Sequence, residues 1–165
     1  MSVPGNARAL VIGVGNAYRC DDRVGLDVAR TVRASDMPGV DVLELSGEGA
    51  ALLESWQSAR TVILIDAVSS GAPPGTIRRF ELPGDTMPLQ FFHYSTHAFS
   101  VAEAIELARA LDLLPSKLIV YGIEGGSFAS GEGLSAVVER SAAHVTRQIV
   151  EDLRKHATPS LQGAD

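Results

Sequence analysis

Short apolar runs alternate with helical apolar stripes along this chain. Ala9 to Ile12 is a β-branched run inside a strand expected over 7–13, and Gly13 and Gly15 stop it in a tight turn. Val24, Val28, Ala29 and Val32 then recur at helical spacing and predict a helix over 23–34. Met37, Pro38 and Gly39 mark a turn, after which Val40 to Leu45 alternates as a half-exposed strand should. A loop from Ser46 to Gly49 leads into a short helix over 50–57. Thr61 to Asp66 is the second fully apolar run and is expected at the sheet centre, with Asp66 at its end. Residues 75–82 alternate again, with no room behind them for a crossover helix, so they predict an antiparallel edge strand.

The stretch 91–111 carries one helix with two possible starts. Ser95 and Thr96 are N-cap residues, and Ser100 with Glu103 forms a capping-box pattern. Lys117 to Gly122 is the last strand, followed by Gly125 and Gly126, where the backbone is expected to approach something closely. Leu134, Val137, Val138, Ala142, Val145, Ile149, Val150 and Leu153 form the stripe of a helix over 133–155. The order of elements is that of a single α/β domain over 1–156, with a disordered tail expected over 157–165.

Composition narrows the setting. With 165 residues and 45% hydrophobic content the chain buries a substantial core without staples. A net charge of −6 argues against nucleic acid as the partner. A single cysteine, no spanning apolar run and no signal-peptide pattern lead to the expectation of a cytoplasmic protein without membrane attachment.

Candidate chemistry collects at loop positions. Asp21 and Asp22 stand where the first helix begins, and one of them is expected to N-cap it. The loop is a poor nucleotide turn, because Tyr18 replaces the third glycine and the acids repel a pyrophosphate. Glu44 lies where a ribose-binding acid would stand, but reads better as a solvated strand residue. Asp66 ends a buried strand with no helix to cap, since Pro73 and Pro74 follow, so it reads as functional. His93 and His97 are four apart, but a helix start between them removes the paired-ligand reading. His97 then falls in a loop or first turn and is the better binding residue; His144 and His156 read as ordinary exposed residues. Two carboxylates and an imidazole (Asp22, Asp66, His97) suit a divalent transition metal. Cys20 beside the acids is a poor nucleophile.

Taken together, Gly13, Gly15, Asn16, Asp21, Asp22 and Gly25, then Ile65 to Ala67, Ser95 to His97, and Tyr121 to Glu124 resemble the maturation endopeptidases of nickel-iron hydrogenases. The resemblance covers about residues 7–153. It implies a three-layer α/β/α sandwich around a twisted, mostly parallel five-stranded sheet, the edge strand being the antiparallel one. It implies removal of a C-terminal extension from a nickel-loaded hydrogenase large-subunit precursor by an aspartic-type endopeptidase. Asp22, Asp66 and His97 would contact the nickel, with Asp22 or Asp66 catalytic, and Gly13, Gly15, Asn16 and Glu124 would lie in substrate loops. No cofactor of the protein's own is implied; the nickel comes with the substrate, other divalent ions could occupy the site, and the protein is expected to be a monomer. Two departures stand out: Arg23 where the family carries glycine, and Glu44, Leu45 and Ser46 where many members carry Asp-Gly-Gly. The alternatives are a hydrolase similar to peptidyl-tRNA hydrolase and a non-catalytic metal- or nucleotide-binding module.

Overall fold

All six residues of β1 (Ala9–Val14) are buried, because both faces of this strand are covered. The computed structural model describes residues 8–88 and 100–157, the side chains of Ser58, His156 and Ala157 excepted. After β1 come a 3-10 turn (Cys20–Arg23), α1 (Val24–Ala34), β2 (Val40–Leu45) and α2 (Gly49–Ser55), which a second 3-10 turn (Trp56–Ser58) extends. Then follow β3 (Thr61–Val68), β4 (Ile77–Leu82), α3 (Val101–Ala110), β5 (Lys117–Glu124) and α4 (Ala136–Ala157).

The strands form one sheet in the order β2-β1-β3-β5-β4. Every pairing is parallel except β4 with β5, which runs from Ile77 opposite Ile123 to Leu82 opposite Leu118. The sheet is therefore the mostly parallel, five-stranded one expected, with its antiparallel strand at the edge. Alternation along the strands divides the core in two. Leu10, Ile12, Val62, Leu64, Leu118 and Val120 pack with Leu52, Trp56, Val101 and Ile105 from the α2 and α3 side. Val11, Ile63, Ile65, Ile119 and Tyr121 pack with Val28, Val32, Val145 and Ile149 from the α1 and α4 side. Helices on both faces make the three layers.

Where α1 meets the sheet the backbones nearly touch. A Cβ on Gly25 would strike the carbonyl oxygens of Val14 and Ile65, and one on Gly13 would strike the Gly25 carbonyl. Glycine at these two positions lets the start of α1 settle onto β1 and β3.

From β1 the chain runs one way to β2 through α1 and later lies on the other side as β3, so the strand order reverses between β1 and β3. Pairing of β1 with β3 stops at Gly13 opposite Ile65, whereas β3 stays paired with β5 to Val68 opposite Glu124. A notch opens there, at the carboxyl ends of the strands, and Asp66 stands beside it. Such a switch point is where ligands bind in open α/β sheets.

Several boundaries differ from the sequence reading. β3 continues two residues past Asp66, and β5 two past Gly122, because the two strands keep each other paired to their ends. α4 begins at Ala136, since Gly131 and Gly133 take positive φ values of 152° and 94° in the preceding turn. It runs through Ala157, so the tail expected from 157 begins no earlier than Thr158, and 158–165 lie outside the described residues. α3 takes the second of its two start signals: Ser100 is extended, and its Oγ accepts a hydrogen bond from the Glu103 amide at 3.4 Å. Among the described residues no helix is long and apolar enough to cross a membrane.

Candidate functional site

The adjacent aspartates after β1 have opposite environments. Asp21 is fully buried, and its carboxylate accepts hydrogen bonds from the amides of Gly126 (2.8 Å), Ser127 (3.0 Å) and Ser135 (2.8 Å) and from the Ser135 hydroxyl (2.9 Å). Burial works against its charge, but these donors outweigh burial and hold its pKa below the usual aspartate value. The close approach signalled by Gly125 and Gly126 has several partners: a Cβ on Gly125 would strike the Phe128 ring and lie 3.2 Å from the Asp21 Cβ, and one on Gly126 would lie 3.3 Å from Pro74.

Neither aspartate caps α1, contrary to the sequence expectation. The 3-10 turn runs directly into the helix, its N-cap position is the helical Arg23, and no side chain caps it. Asp21 instead binds the amide of Ser135, just ahead of α4.

Asp22 is half-buried on the same 3-10 turn. Its amide donates to the Arg19 carbonyl at 3.0 Å, and its own carbonyl accepts from the Asn16 amide at 3.2 Å. Asn16 Oδ1 in turn accepts from the Tyr18 amide at 2.9 Å, so Asn16 shapes the loop that presents Asp22. Asp66 is surrounded by protein yet retains partial exposure. Desolvation first, and the charge of Asp22 second, push its pKa well above the ordinary aspartate value against a smaller pull from the Ala67 amide. Residues Leu64 and Val68 on the same face of β3 join the core under α2 and α3, so Asp66 is directed to that side of the notch.

The structure therefore brings Asp22 and Asp66 to one place, electrostatically coupled across the switch point. His97, the third residue of the expected set, and His93 lie outside the described residues. Among the described residues no group of three histidine, cysteine or carboxylate side chains forms a metal cage.

The residues expected in substrate loops have packing and hydrogen-bonding roles of their own. Gly13 is a buried strand residue whose missing Cβ admits α1, and a Cβ on Gly15 would strike the Asp22 carbonyl. Both glycines serve the packing of the loop. Glu124 is 3% exposed, and its carboxylate is taken up by the Ser70 amide (2.8 Å), the Ser70 hydroxyl (2.7 Å) and the Gly71 amide (3.1 Å). It faces inward to the loop behind Asp66.

Glu44 is partly exposed and is taken up in ion pairs. It pairs with Arg30 at 2.7 Å and Arg33 at 2.8 Å, and hydrogen bonding from Arg33 first, then Arg30, holds its pKa down against burial. Arg23 is held by Asp27, one turn along α1, at 3.0 and 3.1 Å. Its guanidinium thus has a partner within the helix. Cys20 adopts a positive φ of 44° and donates its amide to the Gly131 carbonyl at 3.2 Å. His144 is exposed, as expected.

Fold and site together define a doubly wound α/β protein with a coupled pair of carboxylates at its switch point. Residues 27–152 match the family described as hydrogenase maturation protease. The hydrogenase 2 maturation protease of Escherichia coli K12 is 27% identical over 158 residues, covering 93% of this chain and 95% of that protein. The hydrogenase expression/formation protein HupD of Thiocapsa roseopersicina is 29% identical over 119 residues, or 70% of this chain, a match that spans about half (53%) of HupD. The solution structure of an endopeptidase from Escherichia coli superposes with a TM-score of 0.76 at 25% identity, covering 90% of this chain and 93% of the other. The chain belongs to the hydrogenase maturation protease family. As a member of that family it is an enzyme of the protease class.

Proposed function

We propose that this chain removes the C-terminal extension of a nickel-iron hydrogenase large-subunit precursor, and that it reads the nickel already bound there through Asp22, Asp66 and His97. The observation that supports this reading is the electrostatic state of the acid pair. Burial and the neighbouring Asp22 disfavour the charge on Asp66. A divalent cation arriving between the two carboxylates relieves both penalties, so the pair favours a metal-loaded partner over an empty one.

In this proposal the metal is cargo of the substrate and the protein needs no cofactor of its own. Few ligands without thiolate leave coordination positions open, so the free site takes nickel or another divalent ion weakly. Each contact made only to the loaded precursor converts into selectivity, tenfold for about 1.4 kcal/mol. A metal so placed polarises the scissile carbonyl or lowers the pKa of a bound water. The carboxylate not engaged with it, Asp22 or Asp66, serves as general base.

Chain direction supports the inclusion of His97. α3 runs antiparallel to β5, so its first turn opens at the carboxyl ends of β3 and β5, on the face to which Asp66 is directed. His97 precedes the Ser100 cap by three residues, a reach of at most about 10 Å. A monomeric enzyme acting in the cytoplasm on a protein substrate completes the reading. Family membership does not favour the peptidyl-tRNA hydrolase reading or the non-catalytic module.

The test is cleavage of a nickel-loaded precursor, followed as a shift on a gel. His97→Ala is expected to lower the rate roughly 100-fold or more, the range for losing a positioned catalytic group, and His93→Ala to leave it largely intact. The reverse pattern would remove His97 from the site.

A further inference from the structure

The segment Glu124–Ser127 makes two separate connections. Its first residue binds the loop that follows Asp66: Glu124 Oε1 accepts from the amides of Ser70 and Gly71, and Oε2 accepts from the Ser70 hydroxyl. The main chain of the same segment adds Gly125 donating to the Val68 carbonyl at 3.0 Å, and Glu124 donating to Thr76 at 2.9 Å. Two residues later the amides of Gly126 and Ser127 bind Asp21, the residue before Asp22, and the Asp21 amide returns a bond to the Ser127 carbonyl at 2.9 Å. One short stretch is therefore hydrogen-bonded to the loop beyond Asp66 on one side and to the turn bearing Asp22 on the other.

We infer that Glu124 is a positioning residue: through the Ser70–Gly71 loop it fixes the end of β3, and with Asp21 it sets the separation of Asp22 and Asp66. The inference rests on the proposed role of those two acids. The placement of Glu124 fits this better than a contribution to bulk stability. It is a nearly buried carboxylate whose oxygens are occupied by one loop, and that loop begins directly after the strand carrying Asp66. A buried acid satisfied by two amides and a hydroxyl is costly to assemble and rigid once assembled. Groups that orient a metal-binding or catalytic carboxylate typically change affinity or activity 10- to 100-fold when removed. A misplacement of about 1 Å suffices for a loss of that size.

Two variants separate geometry from charge. Glu124→Gln keeps an oxygen for the amides of Ser70 and Gly71 and offers an N–H to the Ser70 oxygen, so the loop stays bound. Glu124→Ala releases all three donors. Both are assayed on nickel-loaded precursor at a temperature where circular dichroism shows each fully folded. Ni2+ alone is titrated into each protein by calorimetry. Glu124→Ala is expected to lower kcat roughly 10- to 100-fold with KM little changed, and to weaken Ni2+ binding in the same range, while Glu124→Gln restores most of both. A folded Glu124→Ala protein with normal kcat and normal Ni2+ affinity overturns the inference, whatever its melting temperature. So does a Glu124→Gln protein as impaired as Glu124→Ala. If the wild type binds Ni2+ but cleaves no precursor, the proposed substrate is wrong and the Ni2+ titration still decides the role of Glu124. If it does neither, both readings fall.

Discussion

Asp66→Asn is expected to abolish precursor cleavage and, at neutral pH, to make the protein more stable. The loss follows from removing a carboxylate that both meets the metal and is available as base, and amounts to roughly 100- to 10,000-fold in rate. The gain follows from the sign of its pKa shift. Desolvation, then the charge of Asp22, raise the pKa of Asp66 in the folded state above the ordinary value. The folded protein therefore holds a proton that the unfolded chain releases more readily. This favours folding below the unfolded pKa and is lost as pH rises through the folded one. At neutral pH the wild type bears the cost of holding this carboxyl desolvated beside Asp22, which asparagine reduces. Relief of this kind is worth about 0.5–2 kcal/mol, or a few degrees of melting temperature at ~2–4 °C per kcal/mol for a domain of this size. Melting curves of both proteins at neutral pH and near pH 4, where ordinary carboxylates titrate, check this. The difference is expected to shrink towards acid, and a variant less stable than the wild type at neutral pH contradicts the shift.

Asp21, the residue before Asp22, behaves in the opposite way. Asp21→Ala is expected to destabilise the fold by about 3–5 kcal/mol, because three buried or part-buried amides and a hydroxyl lose their acceptor at once. Asp21→Asn retains one acceptor oxygen and is expected to lose less. The pKa of Asp21 is depressed, its hydrogen bonds outweighing burial. Its contribution is therefore present above the unfolded pKa and lost as pH falls through the folded one. Urea unfolding of both variants checks the magnitudes, with the exposed Asp41→Ala as a control. A change below about 1 kcal/mol for Asp21→Ala, the ordinary cost of a point substitution, would contradict the environment described for Asp21.

Which features were legible in the sequence depended on how local their causes are. The antiparallel edge strand was readable because the short, Pro- and Gly-rich stretch between β3 and β4 leaves no room for a crossover helix. The helical stripes were readable from spacing alone. Strand ends were not, since β3 and β5 extend each other by pairing across the sheet. For capping α1 the two acids after β1 read as interchangeable. What marks out Asp21 is a loop more than a hundred residues away that supplies amides to its carboxylate. Glu44 looked solvated because its partners, Arg30 and Arg33, lie on a preceding helix whose packing angle no local pattern reveals. The resemblance placed Glu124 in a substrate loop, and the Ser70–Gly71 loop that takes up its carboxylate was not visible in the sequence. The adjacent glycines at 125 and 126 carried the one signal of that arrangement, a close approach without an identified partner.

The most direct test of nickel reading offers equal amounts of nickel-loaded and nickel-free large-subunit precursor to the metal-free protein. Cleavage of the loaded form alone, with discrimination eroded in Asp22→Asn, is the result this account predicts. Equal cleavage of both forms by the wild type would contradict it.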